Sequence, residues 1–263
     1  MLHVNALLLD VQGTLTTRSQ TGATVLIGGI KLIEEARKRN IKVLVLTNAT
    51  KRNEDILKEL RGVGLPIMED EVLSAGQATG IYLREKVGSA RVWILGEPSL
   101  ADELQKYGHI VVNDEAGKPD FVVVGLDRDL TYEKLNKALA FLRAGAELIA
   151  CHTSKRIPEQ GREVISVGPI VKALEYASDR KAVVIGKPSR IMYEMALKKL
   201  GVDAHTAAMV SDEYFNDLAP AKELGIKTIL TLTGVTKEED VDKIEPKPDI
   251  IVQKVDDVVN YLS

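Results

Sequence analysis

The stretch from Ala6 to Leu15, ALLLDVQGTL, constrains this chain more than any other. An apolar run, Ala6 to Leu9, ends in a carboxylate, Asp10, and Gly13 and Thr14 turn the chain away. An unbroken apolar run of that length suits a strand covered on both faces, as in the centre of a parallel sheet. Ligands of such sheets gather at the carboxyl ends of the strands. Asp10 stands at that mouth, where it can serve as a nucleophile or a metal ligand, because a Gly-Thr turn exposes the side chain and aims backbone N–H groups at an anion. An aspartate that merely caps a loop fits the same residues.

The rest of the chain alternates in the same way. A polar loop, Thr16 to Thr24, leads to a helix opened by Gly28 and Gly29, with Ile30, Ile33 and Ala36 at helical spacing. IKVLVLTNAT then gives a second buried strand, Ile41 to Leu46, ending in Thr47 and Asn48. Helices over Asn53 to Leu60 and Ser74 to Lys86 follow, so the pattern is that of a doubly wound α/β sheet. From about Arg91 a second, smaller α/β unit begins, with strands at RVWIL, HIVV, FVVVGL and ELIAC and helices at Ser99 to Lys106 and Thr131 to Arg143. After a helix at Gly168 to Ala177, the strand Ala182 to Ile185 resumes the first theme and ends in Gly186 and Lys187. A strand at Thr206 to Val210 ends in Ser211 and Asp212, a helix runs from about Asn216 to Leu224, and the last strands are Thr228 to Leu232 and Asp249 to Val252. The organisation expected is a core in two pieces, residues 1–76 and 181–263, with an inserted unit at 77–180.

Composition narrows the function. A net charge of −3 over 263 residues gives no basic footprint for nucleic acid. No apolar run approaches the roughly 20 residues that span a bilayer, and MLHVNALLLD lacks the basic start of a signal peptide. One cysteine, Cys151, leaves no internal disulfide and fits a reducing compartment, so a soluble cytoplasmic protein with no membrane partner is expected.

Asp10, Thr47 with Asn48, Lys187, and Asp212 with Asp217 five residues on all lie at strand ends, and one edge of a parallel sheet can bring them together. Carboxylates without His or Cys suit a hard, oxygen-preferring cation such as Mg²⁺, and a lysine with hydroxyl and amide donors suits a phosphoryl group.

Asp10-Val-Gln-Gly-Thr-Leu, Thr47-Asn48, Gly186-Lys187-Pro188 and Ser211-Asp212-x4-Asp217 closely resemble the four ordered motifs of the haloacid dehalogenase-like (HAD) phosphatase superfamily. The insertion after the second motif, with GLDRDLTYEKL and GAELIA, looks like the type II cap of the p-nitrophenyl phosphatase, phosphoglycolate phosphatase and pyridoxal phosphate phosphatase branch. The resemblance implies a Rossmann-like core with an α/β cap and a small phosphorylated substrate. It makes Asp10 the nucleophile and sets Thr47 and Asn48 at the phosphoryl oxygens. Lys187 offsets the charge, and Mg²⁺ is held by Asp10, the backbone carbonyl of Gln12 and Asp212, with Asp217 in support. It also implies a homodimer through the cap.

Three departures bear on substrate. The family's acid-base aspartate is replaced by Gln12, whose amide cannot exchange a proton at neutral pH, and general acid-base catalysis contributes about 10² to 10⁴ in rate. Phosphorylation of Asp10 survives where the leaving group needs no proton, as from an acyl phosphate, pyrophosphate or a phosphoramidate. A restricted phosphatase and a catalytically weak binding or regulatory protein both remain open. Ser211 stands where the family has glycine and is expected to crowd the turn slightly. Cys151-His152-Thr153-Ser154 replaces the branch's usual Thr-Asn-Pro-Asp, which leaves His152 as either a substrate contact or a solvated loop residue. Cys151 and His152 are no catalytic dyad, since neighbours in an extended strand face opposite ways.

Rival classes fail on spacing. Gly62-x-Gly64 follows a helix, so it is not a dinucleotide fingerprint, and Gly186-Lys187 lacks the earlier glycine of a P-loop. A receiver domain would carry its acidic pair near the N-terminus and no inserted cap.

Overall fold

The structure, a computed structural model, describes residues 2–113, 117–159 and 161–263. The chain opens with β1 (Ala6–Asp10), the strands β2 (Thr16–Arg18) and β3 (Thr24–Leu26), α1 (Ile30–Lys38), β4 (Lys42–Thr47), α2 (Asn53–Gly62), β5 (Val72–Ser74) and α3 (Ala75–Val87). The second unit holds β6 (Arg91–Leu95), α4 (Pro98–Lys106), β7 (Ile110–Val111), β8 (Phe121–Val124), α5 (Tyr132–Arg143), β9 (Glu147–Ala150), β10 (Arg156–Glu159), β11 (Arg162–Ile165), α6 (Val167–Ser178) and β12 (Val183–Val184). The chain returns through α7 (Arg190–Leu200), β13 (Ala207–Ser211), α8 (Ala219–Glu223), β14 (Lys227–Thr231) and β15 (Ile250–Val252).

Six strands form the core sheet in the order β15-β14-β13-β1-β4-β5, all parallel. β1 lies at its centre with every residue buried, as its apolar run requires. Leu8 and Leu44 face one side and Leu7 and Val43 the other, so each face nucleates its own apolar cluster. Helix α1 buries Leu32, Ile33 and Ala36 on one of those faces. It has no local side-chain cap, and Asp256 supplies one from the far end of the chain by accepting from Gly29 N at 3.0 Å and Leu32 N at 3.3 Å.

The inserted unit carries its own five-stranded parallel sheet, in the order β12-β9-β8-β6-β7. One of its faces packs on α5 and α6 through Val124, Leu142 and Leu174. The other face shares a single cluster with the core, in which Val123 and Ile149 of the inserted sheet join Leu8 and Leu46 of the core sheet. Among the described residues, no helix is long and apolar enough to cross a membrane.

Four expectations are corrected here. The run Ala182 to Ile185 does not resume the core sheet: β12 pairs with β9, so the inserted sheet continues past residue 180. The polar loop at Thr16 to Thr24 contains most of a hairpin, β2 with β3, and a second hairpin, β10 with β11, was not anticipated. The helix expected from Asn216 begins instead as a π-helical turn at Tyr214–Leu218. The closing helix is of the 3-10 kind, Val255–Tyr261.

Candidate active site

The reversal of strand order in the core sheet falls between β1 and β13, where their carboxyl ends present Asp10 and the Ser211-Asp212 pair. The turn after β1 is closed by Leu15 N and Thr16 N, both donating to Val11 O at 3.0 and 2.9 Å. Gly13 adopts a φ of +89°, and a Cβ there would lie 2.3 Å from Asp212 Oδ2. Glycine is therefore required twice over, for its backbone and for the approach of Asp212.

Asp10 is 8% exposed and pairs with the Lys187 ammonium. Lys187 Nζ also donates to Asp217 Oδ2 at 2.7 Å, and the Ser211 hydroxyl donates to that same oxygen at 2.6 Å. Ser211 does not crowd the turn, because its hydroxyl accepts from Glu213 N at 3.1 Å and is absorbed into the network. Thr14 links the two strands: its hydroxyl lies 3.1 Å from Asp212 Oδ1 and 3.4 Å from Asp10 Oδ2, and it accepts from Asp212 N at 3.0 Å. A loop after β14 holds Asp212 from the other side, with Val235 N donating to Oδ2 at 2.7 Å and Thr236 N to the Asp212 backbone oxygen at 2.9 Å.

Lys187 reaches this place from the inserted sheet. Ile185 N and Gly186 N continue the ladder onto Ala150 O and Cys151 O at 3.0 and 2.7 Å. Asn48 then fastens the lysine's own backbone, donating from Nδ2 to Lys187 O at 2.9 Å and to Ser154 Oγ at 3.3 Å. Thr47 is half-buried one residue beyond the partner of Asp10, and its hydroxyl accepts from Ala49 N at 3.2 Å. Gln12 is half-buried in the turn and bridges to Thr16.

His152 is not solvated. It is 4% exposed, its Nδ1 accepts from Ser154 N at 3.2 Å, and burial with the nearby Lys187 charge pushes it down to about 4, so the ring is neutral. Cys151 is buried against the Thr79 hydroxyl at 3.6 Å rather than against His152, and burial pushes its thiol up to about 12. It is inert.

Two buried carboxylates, Asp10 and Asp217, share one buried ammonium, and a third, Asp212, is buried nearby without a cation of its own. Burial, and then the Asp217 and Asp212 charges, raise Asp10 to about 8 despite Lys187 beside it. Asp212 is raised by burial, and Glu213 by burial and Asp217. Burial pulls Lys187 down, but Asp10 and Asp217 outweigh it and hold the ammonium above the ordinary lysine value. The cluster is short of positive charge. Sequence reasoning missed Thr14, Glu213, Ser154 and the Thr233 to Thr236 loop. That loop follows the end of β14, so the rule that led to the other strand ends would also have led to it.

Residues 7–110 match the family described as haloacid dehalogenase-like hydrolase, and residues 184–258 match a second HAD-hydrolase-like family. An acid sugar phosphatase of Staphylococcus saprophyticus is 32% identical over the whole of both chains. The chain belongs to the haloacid dehalogenase-like hydrolases. The sugar-phosphatase AraL of Bacillus subtilis is 29% identical over 96% of this chain and 91% of its own. Among solved structures, a 4-nitrophenylphosphatase from Thermotoga maritima superposes with a TM-score of 0.89 at 32% identity, covering 98% of this chain and 97% of that one. A p-nitrophenyl phosphatase from Archaeoglobus fulgidus gives 0.89 at 31% identity, covering 98% and 99%. The protein is thus a hydrolase of this family in its type II cap branch, with the inserted sheet as the cap.

Proposed function

We propose that this HAD hydrolase removes phosphate from small phosphorylated molecules through Asp10, and is restricted to leaving groups that depart without a proton. The observation that carries the reading is the buried Asp10–Lys187–Asp217 chain at the reversal point of the core sheet, with Gln12 two residues after the nucleophile. Asp10 forms the bond to phosphorus as the bond to the leaving group breaks, and water then cleaves the aspartyl phosphate. Lys187 offsets the charge on Asp10 and on the incoming phosphoryl oxygens. The Thr47 hydroxyl supplies a donor to those oxygens, and Asn48, whose amide is spent on Lys187 O and Ser154 Oγ, holds the backbone of the lysine in place. Asp217, bonded by Lys187 and Ser211, fixes the ammonium in place.

The donor set fits Mg²⁺. Every candidate ligand is an oxygen, and the raised Asp10 and Asp212 mark a deficit of positive charge that a divalent cation relieves. An ion of this kind relies on one or two carboxylates, water and substrate oxygens. Asp10, the Gln12 carbonyl and Asp212 would hold it, with Asp217 in support, and it would supply charge neutralisation at the phosphoryl group.

Gln12 cannot protonate an alkoxide, so alkyl esters lose the roughly 10² to 10⁴ that an acid contributes. The names of the relatives put sugar phosphates and p-nitrophenyl phosphate among the first substrates to compare. The deciding experiment measures phosphate release from acetyl phosphate, p-nitrophenyl phosphate and a sugar phosphate, with and without Mg²⁺, using Asp10→Asn as the blank. Turnover of the first two alone supports the reading. Equal turnover of the sugar phosphate removes the restriction, and no turnover of any leaves a phosphate-ligand binding protein on the HAD fold.

A further inference from the structure

Asp217 fixes the Lys187 ammonium, and its own place is set by its backbone. The side chain is held within the site, where Oδ2 accepts from Lys187 Nζ at 2.7 Å and from the Ser211 hydroxyl at 2.6 Å. Both bonds depend on where the chain runs at residue 217. That run is irregular. Asp217 lies in the π-helical turn Tyr214–Leu218, in which Leu218 N donates past Tyr214 to Glu213 O at 3.4 Å. A turn of this kind takes in an extra residue, re-aims the side chains it carries, and recurs at functional sites.

The ladder of the turn is also incomplete. In an α-helical register Asn216 O would accept from residue 220, which is Pro220 and has no N–H to give. The Tyr193 hydroxyl comes in from α7, donating to Asp217 O at 2.8 Å and lying 3.5 Å from Asn216 O. Tyr193 is fully buried in the apolar cluster that also holds Met209 and Leu218, so its ring has one place to stand and its hydroxyl needs an acceptor there. Tyr193 lies on the helix into which Lys187 leads, through the N-cap Ser189. One short segment therefore grips Asp217 twice, at the carboxylate by Lys187 and at the carbonyl by Tyr193.

Given the roles proposed above for Asp10 and Lys187, we propose that Tyr193 is a positioning residue for phosphoryl transfer: by holding the Asp217 carbonyl, it sets where the Lys187 ammonium stands beside Asp10 and the incoming phosphate. Tyr193→Phe keeps the ring and its packing and deletes only the hydroxyl. The full-length protein is assayed with Mg²⁺ on p-nitrophenyl phosphate, whose leaving group departs without a proton, with Asp10→Asn as the blank. The dissociation constant of inorganic phosphate is measured by calorimetry on the same proteins.

For Tyr193→Phe, kcat/KM should fall roughly tenfold, shared between a lower kcat and a KM raised about threefold, because a displaced ammonium serves both the bound phosphate and the transition state less well. The phosphate dissociation constant should rise with KM. A mere loss of folded protein lowers kcat and leaves those two constants unmoved. Ser178→Ala is the control: it deletes a buried hydroxyl that donates to Leu174 O at 2.6 Å in α6 of the cap, and should lower the melting temperature without moving either constant. In the Asp217→Asn background, Tyr193→Phe should change the phosphate dissociation constant by less than about twofold, since the residue it acts through is already disarmed. The proposal is overturned if Tyr193→Phe keeps the parent's KM and phosphate affinity, or if its effect on that affinity multiplies in full with that of Asp217→Asn. A parent protein that turns over no more than Asp10→Asn would overturn the proposed function itself, and the role of Tyr193 with it.

Discussion

Gly234→Ala adds one methyl group where the structure has no room for it. An ideal Cβ at Gly234 would lie 1.8 Å from Asp212 Oδ2, 2.4 Å from its Cγ and 2.9 Å from its Cβ. The backbone there is not left-handed, so the conflict is purely steric. Asp212 is 1% exposed and is held by Thr14 at 3.1 Å and Val235 N at 2.7 Å, so it has no free direction of retreat. Displacing the carboxylate loosens two hydrogen bonds at about 1 kcal/mol each and overpacks a buried site at about 1–3 kcal/mol, for a total of about 3–5 kcal/mol. In a chain of this size that lowers the melting temperature by roughly 6–20 °C. Melts and urea titrations are run without Mg²⁺, so that metal binding does not enter, and turnover is then measured with it. A shift of about 1 Å in a catalytic group costs roughly 10² in rate. Gly62→Ala is the control: it lies in α2 with nothing within 4 Å and gains at most about 1 kcal/mol. If Gly234→Ala melts and turns over like Gly62→Ala, the account of how Asp212 is held is wrong.

Gln12→Asp should raise kcat/KM on an alkyl phosphomonoester by about 10² to 10⁴, and an unchanged value would mean that proton supply is not what limits the enzyme. Ser211→Ala removes the hydroxyl that donates to Asp217 at 2.6 Å and accepts from Glu213 N, and should cost about 1–2 kcal/mol in urea unfolding; wild-type stability would show that the hydroxyl is idle. His152 is held down to about 4 in the folded chain against 6.5 when free. Its contribution is therefore intact above pH 6.5 and lost as pH falls through 4, on the order of 3 kcal/mol in all. His152→Gln should remove that loss, and parallel pH profiles for variant and parent would refute it.

Much of the site could be read from the chain because a buried strand ending in a polar residue is a local pattern. Asp10, Thr47, Asn48 and Asp212 all follow such runs, and the fold brings their strands side by side. The route of Lys187 could not be read in that way. The apolar run before it looks the same whichever sheet it joins, and the choice is made by the pairing of Val183 and Val184 with Ile149 and Ala150, continued by Ile185 N and Gly186 N onto Ala150 O and Cys151 O. The hairpin of β2 and β3 was hidden because its side chains are mostly polar and half-exposed, so backbone bonds carry the pairing and the alternation is faint. That His152 is buried rather than solvated could not be read from the chain, because the backbone on either side of it is approached by remote glycines: a Cβ at Gly168 would strike Thr153 O at 2.4 Å, and one at Gly186 would strike Cys151 O at 2.5 Å. Closeness of that kind leaves no periodic trace in a sequence.

The ladder that carries Lys187 onto β9 makes this cap a poor exchangeable module. A chimera joined at residue 180 would take β9 from one parent and β12 from the other, and so place the lysine on a seam between foreign strands. Excising the cap altogether would strip Leu8 and Leu46 of their cover from Val123 and Ile149 and leave Asn48 without the backbone it holds. Recombination in this enzyme should therefore succeed only where the donor segment runs through Gly186, with the lysine travelling as part of the lid.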